Sequence, residues 1–392
     1  MKKTRITENV YWVGAVDWDR RLFDSLIPLP EGTTYNAYLV EGSEKIALLD
    51  AVNPSMLHVL MGHLADVPRI DYIISHHTEQ DHSGTIPNLL ERYPDAKVVA
   101  SDKAKQLLTD HLKIPQDKII VVQDGQTLSL GDRALKFIYT PWVHWPETIV
   151  SYLEPEKILF TCDLFGSHYA SSDIFVRDQA AVYEAAKRYY AEIMMPFANL
   201  IDKHIQRLEP LEINMIAPSH GPIYQDHTWI VSAYRRWVSP QPENTVLLAF
   251  VTMHDSTKLM AEYLTGSLAE LGIKVDRFNL PTTDLGKLAI SLVDAATIII
   301  GTPTVLGGPH PLAAYAALVI NALKPKARYF SVIGSYGWGG KAVETLKTLV
   351  SGLKVEHLQP VLARGLPKEN DYTTLQELAK TIAEKHRQLQ LM

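Results

Sequence analysis

Between Val10 and about Phe160, short apolar or alternating runs recur with turn residues between them. They predict strands at Val10–Gly14, Tyr35–Glu41, Lys45–Asp50, Tyr72–Ser75, Lys97–Ala100, Lys118–Val122, Leu135–Tyr139, Thr148–Leu153 and Ile158–Thr161. Helical periods intervene at Ser55–Ala65, Thr85–Arg92 and Asp102–Leu112. Many strands with several helices predict packed sheets covered on their outer faces. A helical stretch, Ala180–Leu208, follows, and then the apolar run Ile213–Pro218 ends in a turn carrying His220.

The pattern changes after Ser239-Pro240-Gln241-Pro242-Glu243-Asn244, which has two prolines and no large apolar side chain. This places one domain at residues 1–240 and a second at 245–392. In the second, Thr245–Val251, Lys274–Phe278, Thr297–Gly301 and Tyr329–Gly334 read as buried parallel strands. Helices at Thr257–Leu271, Leu312–Leu323, Lys341–Ser351 and Thr373–Gln388 lie between and after them. Such alternation predicts an open, doubly wound α/β sheet.

Composition narrows the classes of function. A chain of 392 residues, 46% apolar and 21% charged, suits two globular cores. A net charge of −6 without any Lys or Arg run gives no footprint for nucleic acid. The first residues carry positive charge but no apolar core, and no run reaches the ~18 apolar residues of a membrane span, so no signal peptide and no membrane partner are expected. The lone Cys162 excludes an intramolecular disulfide, a thiolate-ligated iron–sulfur cluster and a built-in rubredoxin-type iron. A cytoplasmic protein is expected, with any thiol-bound redox centre on a separate partner.

The chemistry concentrates in Ser75-His76-His77-Thr78-Glu79-Gln80-Asp81-His82-Ser83-Gly84, directly after the apolar run Ile70–Ile74. His77, Glu79, Asp81 and His82 form a mixed nitrogen and oxygen ligand set, which suits iron, manganese or zinc. A polar loop capping the next helix is the plainer reading, but four ligand-type residues within six positions weigh against it. His144, Asp163 and His220 each stand at or near the end of an apolar run. Singly, each reads as a packed ring or a helix cap. Together, seven ligands can hold two metals with Asp163 bridging them at the ~3.5–4 Å separation of two-metal sites.

Three loops of the second domain follow its strands. Thr252-Met253-His254-Asp255-Ser256-Thr257 opens a helix, and its hydroxyls and backbone N–H groups make either a phosphate monoester site or an ordinary helix cap. Gly301-Thr302-Pro303-Thr304-Val305-Leu306-Gly307-Gly308-Pro309 and Gly334-Ser335-Tyr336-Gly337-Trp338-Gly339-Gly340 have glycines that let backbone approach a flat ring. Tyr336 and Trp338 are placed to stack on it.

The first domain resembles the metallo-β-lactamase superfamily, whose hydrolases carry His-x-His-x-Asp-His and then a distant His, Asp and His. Here Glu79 replaces the second His, which hardens the site and favours iron. The second domain looks like a flavodoxin, implying FMN on the three loops, with Asp255 departing from the usual uncharged residue. The two together resemble the flavodiiron proteins, in which a metallo-β-lactamase αββα sandwich precedes a flavodoxin-like doubly wound sheet. His77 to Gly84, His144, Asp163, His220, Gly32–Tyr38 and Met195-Pro196-Phe197 carry this likeness across nearly the whole chain.

The resemblance implies reduction of O2 to water, of NO to N2O, or of both, at two irons supplied with electrons through FMN. It also implies a head-to-tail homodimer or a dimer of such dimers. The expected donor is rubredoxin or a reduced deazaflavin. Asp24 stands where some relatives place a pocket His, Cys162 where Gly is frequent, and Tyr190 either lines the same pocket as a catalytic residue or serves helical packing. His82 is displaced by water in some relatives. Two rivals remain at this point: a two-zinc hydrolase joined to a flavodoxin-like fold without redox function, and an electron carrier in which only FMN matters.

Overall fold

The structure, a computed structural model, describes residues 2–392. The chain forms two compact units. One runs to Tyr190 and resumes over Phe197–Val238; the other comprises Ala191–Pro196 and Ser239–Met392.

The first unit holds two sheets. One has seven strands: Thr4–Thr7, Val10–Trp12, Tyr38–Glu41, Ile46–Leu49, Tyr72–Ile74, Lys97–Ala100 and Ile119–Val121, in that spatial order. The first four are antiparallel, and the last three join Ile46–Leu49 in parallel. The other sheet orders Thr127–Ser129, Ala134–Tyr139, Ile149–Glu154, Ile158–Cys162 and Met215–Pro218, with only the last pair parallel.

Alternation along the strands explains the layering. Tyr38, Val40, Ala47 and Leu49 face Phe137, Ile149 and Phe160 of the other sheet across a shared core. The intervening Leu39 and Leu48 point outward onto Leu60, Leu64, Leu89 and Leu108 of the flanking helices. Apolar residues on both faces of a sheet require cover on both, and the helix–sheet–sheet–helix sandwich provides it.

In the second unit the parallel sheet orders Lys274–Asn279, Glu243–Phe250, Ala295–Val305, Tyr329–Tyr336 and Glu356–His357, the 2-1-3-4-5 winding of flavodoxin-like folds. The short strand Val361–Arg364 also pairs in parallel with Tyr329–Tyr336. Among the described residues no helix is long and apolar enough to cross a membrane.

Several elements depart from the sequence expectation. The helical stretch Ala180–Leu208 is present but broken, into Gln179–Tyr189, a π-helical turn at Tyr190–Met194, a tight turn at Met195–Phe197 and a second helix, Ala198–Leu208. Pro196 lacks the N–H that would continue the ladder. The helix Thr228–Val238 buries Ile230, Ala233, Tyr234, Trp237 and Val238, a helical spacing built from residues that favour strands and so hard to read locally. The fifth strand is divided between Glu356–His357 and Val361–Arg364, with Pro360 in the gap.

A buried histidine ties the last helix, Glu369–Gln388, to the parallel sheet. His386 Nδ1 donates to Asn244 Oδ1 at 2.8 Å, and its Nε2 accepts from the Thr297 hydroxyl at 2.8 Å. Burial pushes its pKa down to about 4, so the folded state holds it neutral where the unfolded chain would bind a proton. Its contribution is therefore complete above pH ~6.5 and declines as pH falls towards 4. His386→Gln is expected to flatten the acid-side fall in melting temperature between these values, by about 2–4 °C per kcal/mol of linkage removed. Thermal unfolding followed from pH 7 to 4 checks this.

Candidate metal centre

The ligand-bearing loops leave the same ends of the two sheets. Ile74 is buried at the end of its strand, and the chain then turns through Ser75–Glu79 into the one-turn helix Gln80–Ser83. Ala51 N–H donates to the His82 carbonyl at 2.8 Å and Ser219 N–H to the Cys162 carbonyl at 2.8 Å, binding the loops to one another. Gly221, at φ +78°, permits the turn after His220. A side chain there would place Cβ 2.0 Å from Ser167 Oγ.

The seven expected ligands converge and divide into two sets. Glu79 Oε2 lies 3.2 Å from His77 Nε2 and 3.1 Å from His144 Nε2. Asp81 Oδ2 lies 3.4 Å from His82 Nε2 and 3.1 Å from His220 Nε2. Asp163 joins the sets. Its Oδ2 is 3.6 Å from both His77 and His144, while its Oδ1 is 3.0 Å from His82 and 3.6 Å from His220. One carboxylate thus offers one oxygen to each set, the geometry of a bridge.

His77 Nε2 and Glu79 Oε2 are within hydrogen-bonding geometry, but the approaches made by Asp81 and Asp163 are not directed hydrogen bonds. Both oxygens of Asp81 and of Asp163, and His82 Nε2, are buried without a hydrogen-bond partner among the described residues. Lone pairs aimed at shared points instead of at one another are what a pair of cations requires. The charge balance points the same way. Burial alone would depress the pKa of His82, yet Asp81 and Asp163 raise it to about 9. Burial likewise opposes ionisation of Asp163, but His82, His77 and His144 hold its pKa well below the usual carboxylate range.

Other groups hold the ligand rings. His77 Nδ1 donates to Glu147 Oε1 at 2.7 Å, and the same oxygen accepts from Thr78 N–H and Thr78 Oγ1. His220 Nδ1 donates to the Thr34 carbonyl at 2.6 Å. His82 has no such clamp among the described residues, since its Nδ1 is also without a partner. Beneath the loops, Asp50 accepts from His76 N–H and Nδ1 and from Ser219 Oγ, and His76 Nε2 meets Ser151 Oγ at 2.7 Å. The residues immediately before His77 and His220 are thereby pinned to one carboxylate.

A pocket of about 310 Å³ opens above Glu79 and Asp81, walled by Arg20, Phe23, Asp24, Asn53, His111 and Trp145. Asp24, on the turn of the hairpin Leu22–Phe23/Ile27–Pro28, is pushed up to about 6 by burial and by the carboxylates of Glu79 and Asp81. Tyr190 does not take the expected place. Its hydroxyl donates to the Trp237 carbonyl at 3.2 Å and its ring packs on Tyr234 and Trp237. Tyr189, one helical step of about 100° away, stands beside His168 and His220 instead, at 4.8 and 5.8 Å between rings. Cys162 is buried at φ +49°, and burial pushes its thiol pKa up.

Sequence reasoning passed over Glu147, Thr34, Asp50, His76, His168 and Tyr189. His76 and Thr34 lie inside stretches already singled out but were given no role, and the partners of Glu147 and Asp50 are remote in sequence.

The second unit gathers its three loops at the carboxyl ends of adjacent parallel strands. Thr252 Oγ1 and Thr257 Oγ1 are buried without a partner among the described residues, at the start of the helix Ser256–Glu270. Met253, His254 and Asp255 are exposed, and Asp255 adopts φ +62°. Thr302 Oγ1 is already engaged, accepting from His310 N–H and donating to the Pro303 carbonyl. Thr304 and Val305 pair back on Pro309 and Gly308 around a tip at Leu306–Gly307. Gly334 is required where a Cβ would fall 2.0 Å from the Thr302 carbonyl. Ser335 and Tyr336 are half-buried, while Gly337 and Trp338 are exposed, Trp338 almost completely at 97%.

Residues 33–221 match the family described as ODP family beta lactamase. The nitric oxide reductase of Moorella thermoacetica is 35% identical over 96% of this chain and 97% of its own. The chain belongs to the flavodiiron protein family. Among solved structures, the rubredoxin oxygen:oxidoreductase of Desulfovibrio gigas superposes with a TM-score of 0.96 at 32% identity, covering both chains completely. The flavodiiron protein of Giardia intestinalis gives 0.93 at 25% identity, covering 99% of this chain and 98% of that one. The αββα unit followed by a flavodoxin-like sheet is thus the flavodiiron architecture.

Removing the clamp on His77 tests the centre without touching a ligand. Glu147→Leu is expected to weaken metal retention by about 10–100-fold, as loss of an orienting partner commonly does. Glu147→Gln, which keeps an acceptor, should lie between it and the unaltered protein. Metal content after graded chelator competition measures both.

Proposed function

We propose that the chain is an oxidoreductase that reduces O2 to water, NO to N2O, or both, at a diiron centre fed by FMN. His77, Glu79 and His144 would hold one iron, Asp81, His82 and His220 the other, and Asp163 would bridge them. Residues 1–240 form the diiron domain and 245–392 the FMN domain. The observation that carries the reading is the division of Asp163, one oxygen towards each histidine pair, with a carboxylate, Glu79, where a zinc hydrolase would offer imidazole. Supporting it, relatives alike over nearly their entire length bear the names nitric oxide reductase and rubredoxin oxygen:oxidoreductase.

When bound, ferrous ions supply one electron each, enough to couple two NO molecules, and the flavin replenishes them for the four-electron reduction of O2. The protein's own groups do the rest. Glu147 and the Thr34 carbonyl fix the tautomers of His77 and His220 so that Nε2 faces inward. Asp24, on the pocket wall beside Glu79, would offer substrate a carboxyl group able to exchange a proton. Thr252, Thr257 and the N–H groups opening Ser256–Glu270 would bind the FMN phosphate. Ser256 would assist them. The stretches Met253–His254, Thr302–Thr304, Gly307–Gly308 and Ser335–Trp338 would enclose the flavin. Electrons come from a separate donor, rubredoxin first and a reduced deazaflavin second. The working assembly is a head-to-tail homodimer or a dimer of dimers, in the cytoplasm.

Asp163→Ala is expected to cut O2 and NO consumption on the order of a hundredfold or more while flavin content stays the same. Anaerobic stopped-flow of the reduced protein against each gas, with iron and flavin analysis, is the measurement. Undiminished consumption of both gases would remove the metal centre from the mechanism.

A further inference from the structure

The first unit contains a second cavity, of about 290 Å³, which is chemically the opposite of the pocket above the metal ligands. Its floor is the outer face of the second sheet, where Leu159 and Ile216 sit in register on neighbouring parallel strands. Leu208 of one covering helix and Val231 of the next form its sides, and Ile213 lies towards the solvent end. Its polar lining residues, Glu209, His227 and Thr228, are themselves exposed or half-exposed, so they belong to the rim.

Phe165 closes the inner end. It follows Asp163 by two residues, is buried, and packs edge-on against Tyr234 at 4.8 Å between ring centres. The next residue is Gly166, which presents bare backbone to the centre. A Cβ built there would lie 3.5 Å from the Tyr189 ring and 3.6 Å from Cβ of His220. Phe165 thus lines the cavity, while its neighbour Gly166 lies against Tyr189 and His220.

We propose that this cavity is a binding site for apolar diatomic gas, a reservoir from which substrate reaches the metal centre past Phe165. The inference rests on the function proposed above, because it assigns the cavity to that reaction's substrate. Its physical basis is partition. Hydrocarbon-lined cavities make no hydrogen bonds to water and take up small apolar guests such as xenon. The pocket walled by Arg20, Asp24 and Asn53 offers water good partners and so suits protons and product water. Gas and water thus have separate approaches, and neither need displace the other.

Crystals of the holoprotein pressurised with xenon test the cavity itself, and steady-state kinetics test its use. Xenon is expected between Leu159 and Val231, and absent after Val231→Phe, which fills the space. That variant should raise KM for O2 and NO severalfold with kcat, flavin content and the rate of flavin reduction by the donor retained. Ile213→Phe, nearer the solvent end, should act in the same direction and serves if Val231→Phe does not fold. An unoccupied cavity in xenon-treated wild-type crystals overturns the proposal, whether or not the protein turns over either gas. An unchanged KM in a correctly folded, filled variant also overturns it. Failure of turnover in the unaltered protein would instead count against the proposed function, leaving the xenon result to decide on the cavity.

Discussion

Three carboxylates, Glu79, Asp81 and Asp163, are brought together below the surface of the first unit, and the local structure answers that constraint. Like charges at such separations repel strongly where water is scarce. The protein surrounds them with four imidazoles and leaves the oxygens of Asp81 and Asp163 without hydrogen-bond partners among the described residues. An unpaired buried polar atom costs about 1–3 kcal/mol. Several at one point are tolerated only where an ion recovers that cost. The site is arranged for cations before it is arranged for substrate.

Such an arrangement needs a rigid support, and two devices supply it. Single acceptors serve several donors at once: Glu147 Oε1 receives one ring N–H, one backbone N–H and one hydroxyl, while Asp50 receives His76 twice and Ser219 once. Strand ends also lock adjoining loops through backbone bonds, as between Ala51 and His82 and between Ser219 and Cys162. His82 is the exception, with a partnerless Nδ1 among the described residues. Its ring packs against His77 and His220, at 5.6 and 4.9 Å between centres, and its Nε2 approaches Asp163 and Asp81. Each metal set thus contains one histidine fixed through its Nδ1, His77 in the first and His220 in the second.

The cluster of candidate ligands was legible in the sequence because His77, Glu79, Asp81 and His82 form a short, dense motif after a strand, and Glu79 carried the expectation of iron. The two-unit architecture was legible because the apolar pattern changes from short mixed runs to regular strand and helix alternation. What escaped was non-local or irregular. Glu147 clamps a histidine seventy positions away. The fifth parallel strand is interrupted at Pro360, and the helix Thr228–Val238 is written in strand-favouring residues. Tyr190 was placed on the pocket by likeness, but the π-helical turn beginning there directs it towards Trp237 and leaves Tyr189 beside the centre. A single step on a helix turns a side chain by about 100°, enough to change its neighbours, and a break in the ladder cannot be located from propensity alone.

The two units reach the same solution by different folds. In each, parallel strands deliver loops at their carboxyl ends, and in each the functional atoms stand out as buried polar groups without partners: the carboxylate oxygens of Asp81 and Asp163 in one, the hydroxyls of Thr252 and Thr257 in the other. A fold that keeps such atoms unpaired gives up stability that only a bound ion or phosphate returns, so metal and flavin occupancy become part of the folding free energy of their own units. By contrast Thr302, satisfied by His310 N–H and the Pro303 carbonyl, shapes its loop and contributes no free donor. Satisfaction of hydrogen bonds, more than residue type, therefore separates the threonines that would hold the cofactor phosphate from the one that builds the wall beside it.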